Sequence, residues 1–500
     1  MGLPIFAKQM ALRAGAIFIV KILGFAARIP LFRLLGAEGI GLYQMAYSFY
    51  GLALTVISGG FPTALALATA QDHRKGWQLY KSATLLLASV GGMLAWLCYH
   101  LAPSIARWLG HSSLEAAIRC LAPALFLVPL LFLLRSFLQG LEFYGAIAWS
   151  EIMEQIVRLS VMLLLVTLWI RTDLGQAVGG AVFGAAAGAL IAYLFLLAFL
   201  FFRRQSFRSA ETRASISAWS DSGLRLFLYS ALSISAARLI VPISDFMDAI
   251  IIPSRLQHAG MTASEAASVF GQIAGVAATI VYMPTLVTSA LAFTLAAKVT
   301  ADWKNKDVLR FSRRARSAIQ IGILWGIGSS WVLWHYSTDL TLLVFSDDAA
   351  AVPVRYMFIA PLLSGLQELT MVILWASGNQ KAPLFGLAAG ILCSAGLNFG
   401  LLGIPGFAYA GAAMGLLSLD LVSMLWNLVA ISRQKRTILS GSLPIRRALL
   451  LLLLCLAGTP GAEWLVNLLP LPQPLCTILS IAVLFGLFSL FIMQTYKKSS

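Results

Sequence analysis

Lys21 and Arg28 stand seven residues apart in a stretch that is otherwise largely apolar, so on a helix they share nearly one face. That stretch, residues 10–35, contains no acid to neutralise them. Glu151, Glu154 and Arg158 follow at i, i+3 and i+7 of another apolar run, and Arg238, Asp245 and Asp248 mark a third, with 238 and 245 again on one face. Uncompensated cations of this kind attract phosphate or diphosphate, and arginine presents a bidentate fork to such groups. No bond-making chemistry accompanies them. The chain has no GxxxxGK[ST] phosphate loop, no GxSxG nucleophile and no carboxylate pair in a polar loop, so it reads as a non-enzyme without a motor of its own.

The elements that hold these residues follow from composition. The 500 residues are 59% apolar and only 11% charged, too few charges to coat a soluble fold. The chain is therefore expected to be an all-α polytopic membrane protein. Apolar runs long enough to span lie near 10–35, 42–69, 79–101, 115–138, 149–170, 176–202, 226–252, 268–296, 315–337, 352–376, 384–403, 409–431, 448–469 and 475–494. That makes about 14 transmembrane helices. They cannot be barrel strands, which need only about 9–11 alternating residues, and lipid offers no partner to unpaired backbone.

Net charge is +16, and the basic residues sit in short connections between spans, where they set topology and meet anionic membrane lipids. Nucleic acid is not an expected partner. Alternate connections hold 25 basic residues on one side and 4 on the other, which places both termini in the cytoplasm. Two long basic connections divide the sequence into residues 1–212 and 213–437, six spans each, and 438–500 with two more. Ala26-Ala27-Arg28-Ile29 with Pro30 is echoed by Ala236-Ala237-Arg238-Leu239 with Pro242, and spans two and eight both contain a proline, Pro62 or Pro284. Such repeats put a substrate site between halves near the midplane. Gly180, Gly184 and Gly188 recur every fourth residue, a packing stripe. Five scattered cysteines and five histidines show no metal-ligand spacing, so no metal or cofactor is expected.

A charge at the centre of a span costs roughly 2.5–3.5 kcal/mol on insertion scales, so each one here calls for a counterpart. Glu154 and Arg158 have the i,i+4 order of an intrahelical pair, or contact a ligand. Arg238 and Asp245 are open to pairing across neighbouring helices, Asp248 to solvation near the outer end, and Glu368 and Asp420 to hydrogen-bonded packing. Lys21 and Arg28 have no such escape and point to a water-filled cavity with a positive lining, suited to an anionic substrate. An inside-negative potential drives each negative charge outward with about 2.3 kcal/mol per 100 mV.

Lys21-Ile22-Leu23-Gly24-Phe25, Arg28 and the run Arg33 to Tyr43 (RLLGAEGIGLY) resemble the first two spans of the stage V sporulation protein B family, part of the multidrug/oligosaccharidyl-lipid/polysaccharide (MOP) exporter superfamily. Arg135 to Gly140 (RSFLQG) with Ser150 to Arg158 (SEIMEQIVR), Asp248-Ala249 with Pro253 to Gln257, and Gly378 to Pro383 are similar to further family signatures. The resemblance implies two six-helix bundles around a central cavity plus two C-terminal helices. It implies outward flipping of an undecaprenyl-diphosphate-linked oligosaccharide by alternating access, lipid II or a related spore-cortex precursor, in the bacterial cytoplasmic membrane. Cell-wall polymerases would be its neighbours. By the same likeness Lys21 and Arg28 of span one would line the cavity, and together with Arg158, Arg238 and Glu154, taken from their charges within spans, they are the expected substrate-binding residues. Asp245, Asp248 and Asn398 would couple transport to Na+ or H+, although apolar Leu402 stands where a second acid is expected. Two other readings are a cation-coupled multidrug exporter, disfavoured by the positive first span, and a non-transporting scaffold for cell-wall synthesis.

Overall fold

In the computed structural model the described residues are 2–203, 221–434, 444–468 and 472–497; within them the side chains of 2–14, 17, 18, 21, 221–224, 467 and 495–497 lie outside the description, that of Lys21 included. Helices joined by short turns make up the described residues, with no strand among them. They group into two compact units, Met1–Ser254 with Thr262–Gly271, and Arg255–Met261 with Gln272–Ser500. By packing, the segment from Asp221 to Ser254 thus joins the first six spans, while the connections divide the sequence earlier.

The first unit runs through α1 (Gly2–Ser58), α2 (Phe61–Gln71), α3 (His73–Trp108), α4 (Leu114–Gly140), α5 (Tyr144–Trp169), α6 (Leu174–Phe202), α7 (Asp221–Arg238), α8 (Ile240–His258, to Ser254) and α9 (Ala263–Phe270). Polar side chains mark several starts. Asp72 accepts from the amides of Arg74 and Lys75 ahead of α3, Asp173 from those of Gly175 and Gln176 ahead of α6, and Thr262 and Glu265 form a capping box on α9. The centre of the unit is α4, whose Ala117, Ile118, Leu121, Leu125, Leu131 and Leu134 are fully buried. A helix apolar on all sides is surrounded by others, and α3, α5 and α6 all pack near it.

The second unit continues through a π-helical turn (Gly271–Ala277, from Gln272), α10 (Ala278–Val281), α11 (Thr285–Lys304), α12 (Val308–His335), α13 (Ser337–Phe345), α14 (Ala351–Tyr356), α15 (Ala360–Ala376), α16 (Lys381–Leu401), α17 (Ala408–Gln434), α18 (Ile445–Asn467) and α19 (Gln473–Lys497). One core joins α11, α12, α15 and α17 through Val299, Phe311, Ile319, Leu369, Ile373 and Ile431. A second seats the last two helices on α12 through Leu324, Leu451, Cys455, Leu484 and Phe488.

Eleven helices among the described residues are long and apolar enough to cross a membrane, or twelve if the bent pair Arg225–Arg238 and Ile240–His258 is one span. Fourteen are expected from the sequence, and the difference arises at two places. Residues 22–71 form one run, in which the expected spans 10–35 and 42–69 are separated within α1 only by Gly36, whose φ of 66° and ψ of −178° are non-helical. The expected span 352–376 is split into α14 and α15, and α15 has only 17 residues. Spans two and eight both break at their prolines. Pro62 opens α2 after the Gly59-Gly60 turn, and Pro284 precedes α11. Proline lacks the N–H that a continuing helix would use.

Candidate functional site

The polar face of α5 is set by glycines on α6. A Cβ on Gly184 would lie 2.5 Å from the Arg158 carbonyl oxygen, and one on Gly188 would lie 2.6 Å from that of Glu154. A Cβ on Gly180 would press on Leu165 and Trp169. The stripe lets the α6 backbone seat directly against α5, the approach that small residues permit in membranes. On Gly188 the same Cβ would also lie 3.0 Å from Arg158 Cβ and 3.2 Å from Glu154 Cγ, so the stems of both side chains run along the stripe before their charged ends reach beyond it.

Glu154 spends its charge on α4. Arg135 donates from Nη1 to Glu154 Oε2 at 2.6 Å and from Nε to Ser150 Oγ at 2.9 Å, and Ser150 Oγ donates to the Ile147 carbonyl at 2.7 Å. The two charged side chains are 12% and 16% exposed. This replaces the intrahelical Glu154–Arg158 pair that the i,i+4 order suggests. Arg135 sits within the buried apolar helix, where an arginine requires an acid, and the cross-helix carboxylate is better placed for it than for Arg158. Arg158 instead lies over the ring of Tyr47, with Cζ 5.3 Å from the centroid, a cation–π contact. Tyr47 continues a line of rings on α1, 5.2 Å from Tyr43 and 5.5 Å from Tyr50.

The first half of α1 meets the same stretch of α5. A Cβ on Gly24 would lie 3.2 Å from Gln155 Nε2. Gly24 is three residues after Lys21 and four before Arg28, so this stretch of the α1 backbone lies beside this part of α5. Arg28 is exposed; the side chain of Lys21 lies outside the described residues. Arg28, Gln155, Arg158 and Tyr47 are thus brought into one neighbourhood of the first unit.

Arg238 occupies a different position, at the bend between α7 and α8, which amounts to 41°. Its guanidinium donates to the Gly59 carbonyl at 2.7 Å and to Thr63 Oγ1 at 2.8 Å, bridging the α1–α2 turn. The Gly60 amide donates to Ser235 Oγ at 2.7 Å, which doubles the clasp. Arg238 and Asp245 are exposed and Asp248 is half-buried.

In the second unit Asn398 is fully buried, and its amide fills the space above Gly415 of α17, where any Cβ would overlap it. Tyr282 donates its hydroxyl to Asp420 at 3.2 Å and Ser289 to Glu368 at 2.7 Å, so both acids are hydrogen-bonded packing groups. Among the described residues no three His, Cys, Asp or Glu side chains are placed to hold a metal ion.

Sequence reasoning missed Arg135 as a charge in need of a partner and Tyr47 as the ring under Arg158. The first left a signal: Arg135 lies towards the end of residues 115–138, a run whose one acid, Glu115, stands four residues before Arg119 and is paired with it. The second left only a tyrosine repeat at i, i+4 and i+7, common in packing faces.

A family model described as polysaccharide biosynthesis protein matches residues 6–263. The chain is 25% identical over 420 residues to stage V sporulation protein B of Bacillus subtilis, covering 83% of this chain and 81% of that protein. It is 32% identical over 162 residues to the lipid II flippase MurJ of the same organism, 29% of each chain. Among solved structures, lipid II flippase MurJ in an inward closed conformation superposes with a TM-score of 0.72 at 14% identity, covering 97% of this chain and 99% of that one. An inward-facing multidrug resistance MATE family transporter of the MOP superfamily gives 0.65 at 16% identity, covering 85% and 99%. These structural likenesses establish the fold.

Proposed function

The chain belongs to the polysaccharide biosynthesis protein family, and on that premise we propose that it flips an undecaprenyl-diphosphate-linked oligosaccharide from the inner to the outer leaflet by alternating access. The cargo in this proposal is lipid II or a related spore-cortex precursor. Relatives named for lipid II flipping and for sporulation support it. The observation that carries it is the face of α1 between Lys21 and Arg28, which lies against Gln155 of α5 with Arg28 exposed. Cations held at membrane depth in a run free of acids, residues 10–35, suit a diphosphate, and a polar wall beside them suits its passage.

In this proposal the membrane is the bacterial cytoplasmic membrane and both termini are cytoplasmic, a reading that the asymmetry of basic connections supports. The spans act as six, six and two. Lys21, Arg28 and Arg158 meet the anionic headgroup, with Glu154 holding its wall through Arg135. Arg238 contributes from the α7–α8 bend. Asp245, Asp248 and Asn398 are the candidates for coupling to Na+ or H+, and cell-wall polymerases for receiving the product.

Reconstitution into vesicles with fluorescent lipid II, read by headgroup accessibility, tests the proposal. Arg28→Ala and Lys21→Ala lower transport by about 10- to 100-fold, the value of one charge-assisted hydrogen bond of about 1.5–3 kcal/mol. Normal transport by both variants rejects the role of these cations. The likeness to a MATE transporter keeps a drug-exporter reading in play. Competition by cationic dyes, with no lipid II movement, decides in its favour.

A further inference from the structure

The proposed function gives the diphosphate a place and leaves the sugar without one. Tyr43 and Tyr47 stack with ring planes 28° apart, and Arg158 holds the Tyr47 ring from α5. Gln44 and Gly51 flank Tyr47 one turn to either side. A Cβ on Gly51 would meet no atom within 4 Å, so α1 borders open space there. Beside the tyrosines, the half-buried residues along that edge are Gln44, Gly51, Leu54 and Thr55, three of the four polar or small. Positions such as Leu85 and Phe202, 72% and 84% exposed, are the large apolar kind that suit lipid. The edge beside Tyr47 is therefore built for water or a polar ligand.

Depth places this edge next to the cations. Gly24 meets Gln155 and Tyr47 meets Arg158, and those two α5 residues are one turn apart, about 4.5 Å at 1.5 Å per residue. The middle of the Lys21–Arg28 face and the tyrosine pair are thus neighbours at one level of the first unit.

Resting on the flippase reading, we infer that Tyr43 and Tyr47, with Gln44 and Arg158, form the platform for the first sugar of the lipid-linked oligosaccharide. In this platform Tyr47, covered by Arg158, backs Tyr43, and the side of the Tyr43 ring away from Tyr47 receives the C–H face of a pyranose, while the Gln44 amide and the guanidinium take its hydroxyls. Arg158 also fixes the Tyr47 ring in advance, which lowers the ordering cost on binding. Anionic and saccharide groups joined by one bond are matched by cationic and aromatic groups one turn apart.

The test compares two probes in the same vesicles, lipid II and undecaprenyl diphosphate without sugar. Tyr47→Ala is expected to lower the ratio of lipid II to sugarless transport by about tenfold, the loss of one good ring contact. Tyr47→Phe, which keeps the ring, holds the ratio near that of the unmodified protein. An unchanged ratio in Tyr47→Ala, with either probe still transported, overturns the sugar platform and leaves the flippase reading intact. Should Tyr47→Ala fold poorly, Gln44→Ala carries the same ratio test. Unmodified protein that moves neither probe overturns the flippase reading and the platform together.

Discussion

Arg135 on α4 and Glu154 on α5 form an ion pair of 2.6 Å between two helices, in a place where each is the other's neutralising charge. Removing one partner leaves a buried charge uncompensated, at a cost of about 3–5 kcal/mol. Glu154→Gln is expected to lower stability by that amount in detergent unfolding. Replacing both residues by methionine recovers more than half of the loss. A single variant as stable as the unmodified protein contradicts the pairing.

The α5–α6 seat predicts opposite outcomes for two glycine changes. Gly184→Ala drives a methyl group to within 2.5 Å of the Arg158 carbonyl and costs about 1–3 kcal/mol. Gly396→Ala, in a helix position with nothing within 4 Å, is neutral or stabilising by about 0.5–1 kcal/mol. Thermal melting of the two purified variants separates them.

The clasp at the α7–α8 bend gives a third prediction. Arg238→Ala loses two hydrogen bonds, to Gly59 and Thr63, and is expected to cost about 1–2 kcal/mol because the guanidinium is exposed. Arg238→Lys restores only part of this, since an ammonium cannot span both acceptors as the planar fork does. Faster amide exchange at Gly60 in the alanine variant reports the opened turn, and unchanged exchange speaks against the clasp.

Much of the fold was legible because membrane helices announce themselves by length and charge exclusion. Lys21 and Arg28 stood out for the same reason: a cation in an apolar run is costly enough to carry information. Pairing between helices was not legible. Arg158 looked like the natural partner of Glu154 because it is four residues away, whereas Arg135 is 19 residues away and reaches Glu154 only once α4 and α5 pack. The sequence also showed two spans where α1 has a single glycine break, since hydropathy cannot distinguish a loop from one residue with unusual dihedrals.

Coupling supplies the last prediction. Asp245→Asn, Asp248→Asn and Asn398→Ala are each expected to remove any acceleration that a sodium or proton gradient gives to lipid II movement, while a potassium-diffusion potential still drives it. The readout is the transport rate in vesicles under each gradient. Full gradient dependence in all three variants excludes these residues from coupling.

Gly36 separates the two halves of α1 at φ 66° and ψ −178°, and a Cβ there would touch nothing within 4 Å. The restriction is therefore one of handedness, not of room: an L-residue at those angles is strained by about 1–3 kcal/mol. Reflected in a mirror, the same angles are ordinary extended backbone. A D-alanine introduced at position 36 by chemical ligation should take up these angles without backbone strain, and it would narrow the range of angles open to the chain there.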